Sequence, residues 1–231
     1  MKKEQVWNIP EVRVIRKLRK ELLRWFAKNK RDYSWRETSD RYRVLIAELM
    51  LRRTKADQAA KVYSKFIEKY PDVKSLYYAS MDDINEITYS LGLHWRRDSF
   101  VGIARESMES YGGKIPGERE DLKKFPGVGD YVAGAVLSLA SNKKEWIVDS
   151  NVVRVFKRYF GLKTTKEGRR DKHVIALAKA YIECENPKSA NLALIDFAAL
   201  VCTPRKPIHE QCPLRGKCHY YAEFKQVPKN K

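Results

Sequence analysis

The chain has 231 residues, 43% hydrophobic and 33% charged, with 13 tyrosines, 8 phenylalanines and 5 tryptophans. That much apolar and aromatic material builds one or two cores and excludes wholesale disorder. A net charge of +18 is what a surface facing a polyanion would carry.

The excess charge is uneven. Residues 1–60 carry 17 basic and 8 acidic side chains, residues 61–120 carry 9 and 10, and residues 121–231 carry 21 and 11. The two end thirds hold the surplus, as a surface facing nucleic acid requires; a merely solvated basic surface is the alternative. The longest near-continuous apolar run, Tyr131 to Ala140, is about half of what a membrane-spanning helix needs. Met1 to Trp7 runs into charged helical sequence without the apolar segment of a secretory signal, so a soluble cytoplasmic protein is expected. Four cysteines, Cys184, Cys202, Cys212 and Cys218, lie in the last fifth of the chain, and in a reducing compartment such clustering favours a metal site over disulfides.

Helical periodicity dominates. Val12 to Lys28 repeats apolar residues at helical spacing, and a polar connector, Asn29 to Ser39, follows. Tyr42 to Leu51 is a strongly apolar helix, and Ala56 to Tyr70 an amphipathic one stopped by Pro71. Ser80-Met81-Asp82-Asp83 caps a helix ending near Gly92. Trp95 to Tyr111 is helical and closed by Gly112-Gly113, Lys114 to Glu120 is a loop, and Asp121 to Phe125 is a short helix. Pro126-Gly127-Val128-Gly129 then turns into an apolar helix, Asp130 to Asn142. Helices follow at about Asn151 to Tyr159, Arg170 to Cys184 and Ala190 to Val201, before a cysteine-bearing loop and a basic tail. No segment alternates with period two, so the fold class is all-α.

Two features stand out. Glycines at both ends of the turn Gly127-Val128-Gly129 let the backbone approach a ligand and aim N–H groups outward at a helix start, which makes a phosphate seat; an ordinary helix–helix turn is the alternative. Twenty residues after Gly129 comes Asp149, in Ile147-Val148-Asp149-Ser150-Asn151-Val152-Val153-Arg154-Val155. Taken alone, a carboxylate there is a helix cap.

Together, Pro-Gly-Val-Gly, a helix, and Val-Asp-x-Asn-Val-x-Arg-Val resemble the helix-hairpin-helix/Gly-Pro-Asp superfamily of base-excision DNA glycosylases. The resemblance implies that the hairpin residues Gly127, Val128 and Gly129, with Lys123 and Lys124 beside them, hold DNA phosphates. It also implies that Asp149 stabilises the oxocarbenium-like sugar as the base departs. Upstream, Tyr33-Ser34-Trp35-Arg36 and Tyr42 to Thr54 resemble the MutY branch, with a Trp-Arg pair before an apolar helix ending Glu-x-Met-Leu-x-x-Thr. Glu48, the one acid in that helix, is either a satisfied buried carboxylate or a general acid/base at the base pocket, where partial burial raises its pKa.

Three departures from adenine-specific MutY narrow the resemblance. The chain stops soon after the cysteine loop, Leu-Gln-Gln-Thr is replaced by Leu51-Arg52-Arg53-Thr54, and Tyr131 stands where endonuclease III has a lysine. A phenol cannot form the Schiff base that drives strand cleavage, so a monofunctional enzyme is expected. These features resemble the archaeal G/T-mismatch thymine-DNA glycosylases (Mig type) from about Leu22 to Tyr221. This resemblance implies a prokaryotic, nucleoid-associated monomer that flips thymine or uracil from a pair with guanine in duplex DNA. Arg52 and Arg53 are then candidates to fill the vacated stack or contact the orphan guanine. Tyr131 would shape the pocket. An adenine glycosylase acting on A/G or A/8-oxoguanine pairs is the alternative.

Cys202-x6-His209-x2-Cys212-x5-Cys218 has the spacing of the iron–sulfur loop of endonuclease III and MutY, with histidine at the second place. The resemblance implies a [4Fe–4S] cluster on Cys202, His209, Cys212 and Cys218; Cys3His zinc or no metal are the alternatives. Arg205 and Lys206 in the same loop would meet phosphates, and Cys184 reads as a buried small hydrophobe. The expected architecture is two helical lobes, a barrel over residues 39–142 and an iron–sulfur-loop lobe of residues 1–38 with 143–231. Glu48 and Asp149 are expected to face each other across a cleft between them.

Overall fold

All regular structure is helical among the residues that the computed structural model describes, 9–92, 96–165 and 167–226. The chain divides into two compact units, residues 1–31 with 144–231 and residues 32–143, so the polar connector is shared between them. The first unit opens with α1 (Val12–Asn29). The second holds α2 (Arg41–Leu51), α3 (Ala56–Lys69), α4 (Val73–Tyr77), α5 (Met81–Thr88), α6 (Arg96–Tyr111), α7 (Arg119–Leu122) and α8 (Asp130–Ser141). The first unit then resumes with α9 (Ser150–Phe160), α10 (Lys172–Tyr181), α11 (Pro187–Leu200) and α12 (His219–Gln226).

In the second unit α2 is buried on nearly every side, from Tyr42 through Val44 to Met50, as a helix without a polar face must be. It packs on α8, whose Val132 to Ala140 are all buried and whose Ala133, Gly134 and Ala135 keep the facing surface thin. Asp40 starts α2 by accepting the Tyr42 N–H at 2.8 Å. Phe66, fully buried, tilts against Phe100 at 5.0 Å and meets Tyr70 edge-on at 5.1 Å. In the first unit α1 buries Ile15, Leu18 and Leu22 against α10 and α11, and α9 lies on α11 and α12.

Three local differences from the sequence expectation have simple causes. α4 is only five residues long, too short for periodicity to reveal, and stands on a capping box between Asp72 and Ser75. The short helix before the hairpin begins at Arg119 rather than Asp121, because Leu122 to Phe125 already turn toward the glycines. α12 occupies what reads as a basic tail; its aromatic residues pack on the cysteine loop, a contact no local pattern announces. Trp95, the expected first residue of α6, and Met1 to Trp7 lie outside the described residues.

Buried tyrosines give the fold a pH limit. Burial pushes Tyr63 up to about 12 from an ordinary 10.0, and raises Tyr42 and Tyr181, whose hydroxyls donate to the Tyr70 and Ala190 carbonyls. Because the fold favours the neutral phenols, this stabilisation is complete below about pH 10 and drains as the pH climbs through about 12. The melting temperature should therefore hold steady from neutrality to pH 10 and fall steeply above it; Tyr63→Phe should lessen that fall.

Candidate functional site

The hairpin is built on α6. Pro126 sits where α6 carries Gly102, and a Cβ there would lie 2.6 Å from the proline Cγ. Gly127 has φ +80°, and a side chain on it would meet Ser99 Oγ at 2.9 Å and Arg52 Nη1 at 3.1 Å. Val128 plugs the turn into the core, while Gly127 and Gly129 stay exposed. Gly129 caps α8 with open space where a Cβ would be, so a phosphate can reach the unpaired N–H groups of the first turn. Gly127→Val should cost at least one of these contacts, weakening duplex binding about tenfold, as a fluorescence anisotropy titration would show.

Lys123 and Lys124 are exposed beside this seat but engaged. Lys123 pairs with Glu120 at 3.2 Å and Asp130 at 3.3 Å, and Lys124 with Asp121 at 2.8 Å, hydrogen bonds that raise both ammonium pKa values. A phosphate arriving here would have to exchange with these carboxylates. Tyr131, half-buried, occupies the second position of α8.

Glu48 lies in the last two turns of α2 at 4% exposure, among Ala47, Leu49 and Met50. Three residues past it the helix ends, and the two arginines part. Arg52 is extended at the helix end and reaches across to donate to the Gly127 carbonyl at 3.2 Å. Desolvation and the neighbouring Arg53 both lower the Arg52 pKa. Arg53 adopts φ +57°, uncommon for a side chain of this size, and is exposed. They are not two equivalent arginines on a helix face; Arg52 ties the helix end to the hairpin.

Asp149 belongs to the first unit. It caps α9, its Oδ1 accepting the Asn151 and Val152 N–H groups at 2.9 and 2.8 Å. Its Oδ2 accepts from Asn151 Nδ2 at 2.6 Å. Asn151 is held in turn by Arg154, whose Nη1 donates to its Oδ1 at 2.9 Å while Nη2 and Nε bind the Ala198 and Cys202 carbonyls at 2.9 and 2.8 Å. The carboxylate is thus fixed in direction through two side chains that sequence reasoning left out. Their spacing of three residues on one helix face was the available signal.

That chain of bonds ends at the cysteine loop. Arg158, one turn beyond Arg154, donates to the Thr203 and Pro204 carbonyls at 2.7 Å each and to Cys202 Sγ at 3.4 Å. Cys202, Cys212 and Cys218 are close enough to act on one another: burial first, then the other cysteines, pushes the Cys212 thiol up to about 11 and raises Cys218. The His209 imidazole packs on α12, with ring centroids 4.7 Å from Phe224, 5.0 Å from Tyr221 and 6.1 Å from Tyr220. Among the described residues no three His, Cys, Asp or Glu side chains converge on a single ion position. Arg205 and Lys206 stand exposed on the loop, and Cys184 is half-buried against the core of this unit.

A family model described as HhH-GPD superfamily base excision DNA repair protein matches residues 46–197. A thymine-DNA glycosylase of Aeropyrum pernix is 35% identical over 212 residues, which cover 90% of this chain and 95% of that protein. A thymine/uracil-DNA glycosylase of Methanothermobacter thermautotrophicus is 36% identical, with 87% and 91% covered. The structure of a thermostable thymine-DNA glycosylase matches with a TM-score of 0.87 at 34% identity, covering 91% of this chain and 98% of that one.

Proposed function

Because the chain belongs to the HhH-GPD superfamily of base-excision DNA repair proteins, we propose that it is a monofunctional DNA glycosylase that hydrolyses the N-glycosidic bond of thymine, and of uracil, mispaired with guanine. The observation that carries this is Asp149, half-buried, with both carboxylate oxygens bound and its direction set by Asn151. The substrate follows the two thymine-DNA glycosylase relatives, which this chain matches over about nine-tenths of their length. The adenine alternative is the weaker one, since this chain covers 41% of the mouse adenine DNA glycosylase that it matches at 32% identity.

The chemistry assigns each group a task. The glycosidic electron pair leaves with the base, and Glu48 donates the proton that the departing base needs. Positive charge develops at the sugar C1′, where Asp149 stabilises it, and water then adds to leave an abasic sugar. The hairpin of Gly127 to Gly129, with Lys123 and Lys124, grips phosphates, and Arg205 and Lys206 add contacts from the cysteine loop. Arg53, exposed and at positive φ, is the arginine assigned to enter the duplex, while Arg52 donates to the Gly127 carbonyl and braces the hairpin. Tyr131 lines the pocket and offers no amine, so strand cleavage does not accompany base release. The partner is a mismatched duplex bound by a monomer in a prokaryotic cell.

For the cysteine loop the proposal is a [4Fe–4S] cluster held by Cys202, Cys212 and Cys218 with His209 in the fourth place. Its support is the ligand spacing and the mutual influence of the three cysteines, while the His209 ring packs on α12. When bound the cluster would rigidify the loop that carries Arg205 and Lys206 and take no part in a chemical step. The test of the activity is free thymine released from a T/G duplex, with the strand intact until hot alkali is added. Borohydride should trap no covalent adduct on the native enzyme; an adduct would refute the monofunctional assignment.

A further inference from the structure

Lys17 on α1 and Lys217, in the single turn Arg215–Lys217 before Cys218, are close enough to repel each other. Such an approach is unfavourable unless an anion joins them. Glu21, an acid that acts on Lys217, is engaged by Arg24 at 2.8 Å. Beside the pair opens a recess of about 590 Å³, between the end of α9, the Arg215–Lys217 turn and α12. Its rim carries Arg215, Lys217 and Lys225, none with an ion-pair partner among the described residues. Its wall carries Val14, Phe160 and Tyr221 beside Cys218 and His219.

A cationic rim over an aromatic wall is the arrangement that takes an unpaired nucleic-acid strand, phosphates on the rim and bases against the wall. A duplex, stiff and with its bases stacked inside, cannot enter a recess of this size. The recess lies at the opposite end of α9 from Asp149, about 16 Å away along an eleven-residue helix. We propose that this recess is a second nucleic-acid site, binding a short stretch of single-stranded DNA independently of the residues that release the base. It serves to hold a strand that has left the duplex, and it does not depend on the base specificity proposed above.

The test uses the full-length protein with Lys17, Arg215 and Lys217 changed together to glutamine, all on the surface and away from the base-release residues. Anisotropy of a labelled undamaged twelve-nucleotide single strand is followed against salt, with single-turnover thymine release from a saturating T/G duplex in parallel. The expected result is at least a tenfold loss of single-strand affinity, a salt slope smaller by about 2, and an unchanged release rate. An unchanged single-strand affinity and slope would overturn the proposal, as would loss of duplex affinity alone or a matching fall in the release rate. Absence of thymine release from the native enzyme would instead count against the catalytic assignment, leaving the strand-binding result to stand.

Discussion

Asp149→Asn should lower single-turnover thymine release by about 10³-fold while leaving the protein folded. In the proposed reaction the loss follows from removing the carboxylate charge that would face the developing sugar cation. Asparagine still caps α9, since its carbonyl oxygen can accept the Asn151 and Val152 N–H groups that Asp149 Oδ1 accepts. Its amide, however, would face Asn151 Nδ2, a donor whose partner oxygen is already held by Arg154. Two donors then oppose each other, which costs about 1 kcal/mol and a few degrees of melting temperature. Asp149→Ala removes charge and cap together and should cost about 1 kcal/mol more. Activity and stability are therefore separable at this residue: circular dichroism melts of both variants beside their release rates would show it. A melting temperature that collapses in the asparagine variant would mean that the activity loss reports unfolding.

The second large effect is expected at Glu48. Glu48→Gln should slow release by about 10²- to 10⁴-fold, the range removed with a general acid. The substitution keeps the shape of a side chain at 4% exposure in a closely packed helix, so the core around Leu45, Leu49 and Met50 should remain intact. A purely structural carboxylate would behave in the opposite way, with stability falling and the rate per folded molecule unchanged. Melting and release measured together on the glutamine variant decide between them: a native melting temperature with the slowed rate supports the general acid, and a lowered melting temperature with an unchanged rate contradicts it.

What sequence reading reached, and where it stopped, follows from which interactions are local. The hairpin and Asp149 are legible because glycine at φ +80° and a capping carboxylate are requirements of single positions, written within a few residues. The long helices are legible for the same reason, through apolar spacing along α1, α3 and α9. Arg52 and Arg53 are adjacent and chemically identical, so only the end of α2 at Leu51 and the reach to the Gly127 carbonyl, 75 residues away, separate their tasks. The bonds from Arg154 to Ala198 and Cys202 are equally remote in sequence. α12 escaped because its aromatic residues look like a tail until they are seen packing on His209. That contact also shows what a histidine gains at position 209 that a cysteine would not.

The most direct test of the central claim is single-turnover base release from otherwise identical duplexes carrying T/G, U/G, A/G and A/8-oxoguanine, each then treated with hot alkali. Alkali-dependent cleavage of the T/G and U/G strands, abolished in Asp149→Asn, is the predicted result. Cleavage confined to the adenine-bearing strands would contradict it and make this chain an adenine glycosylase.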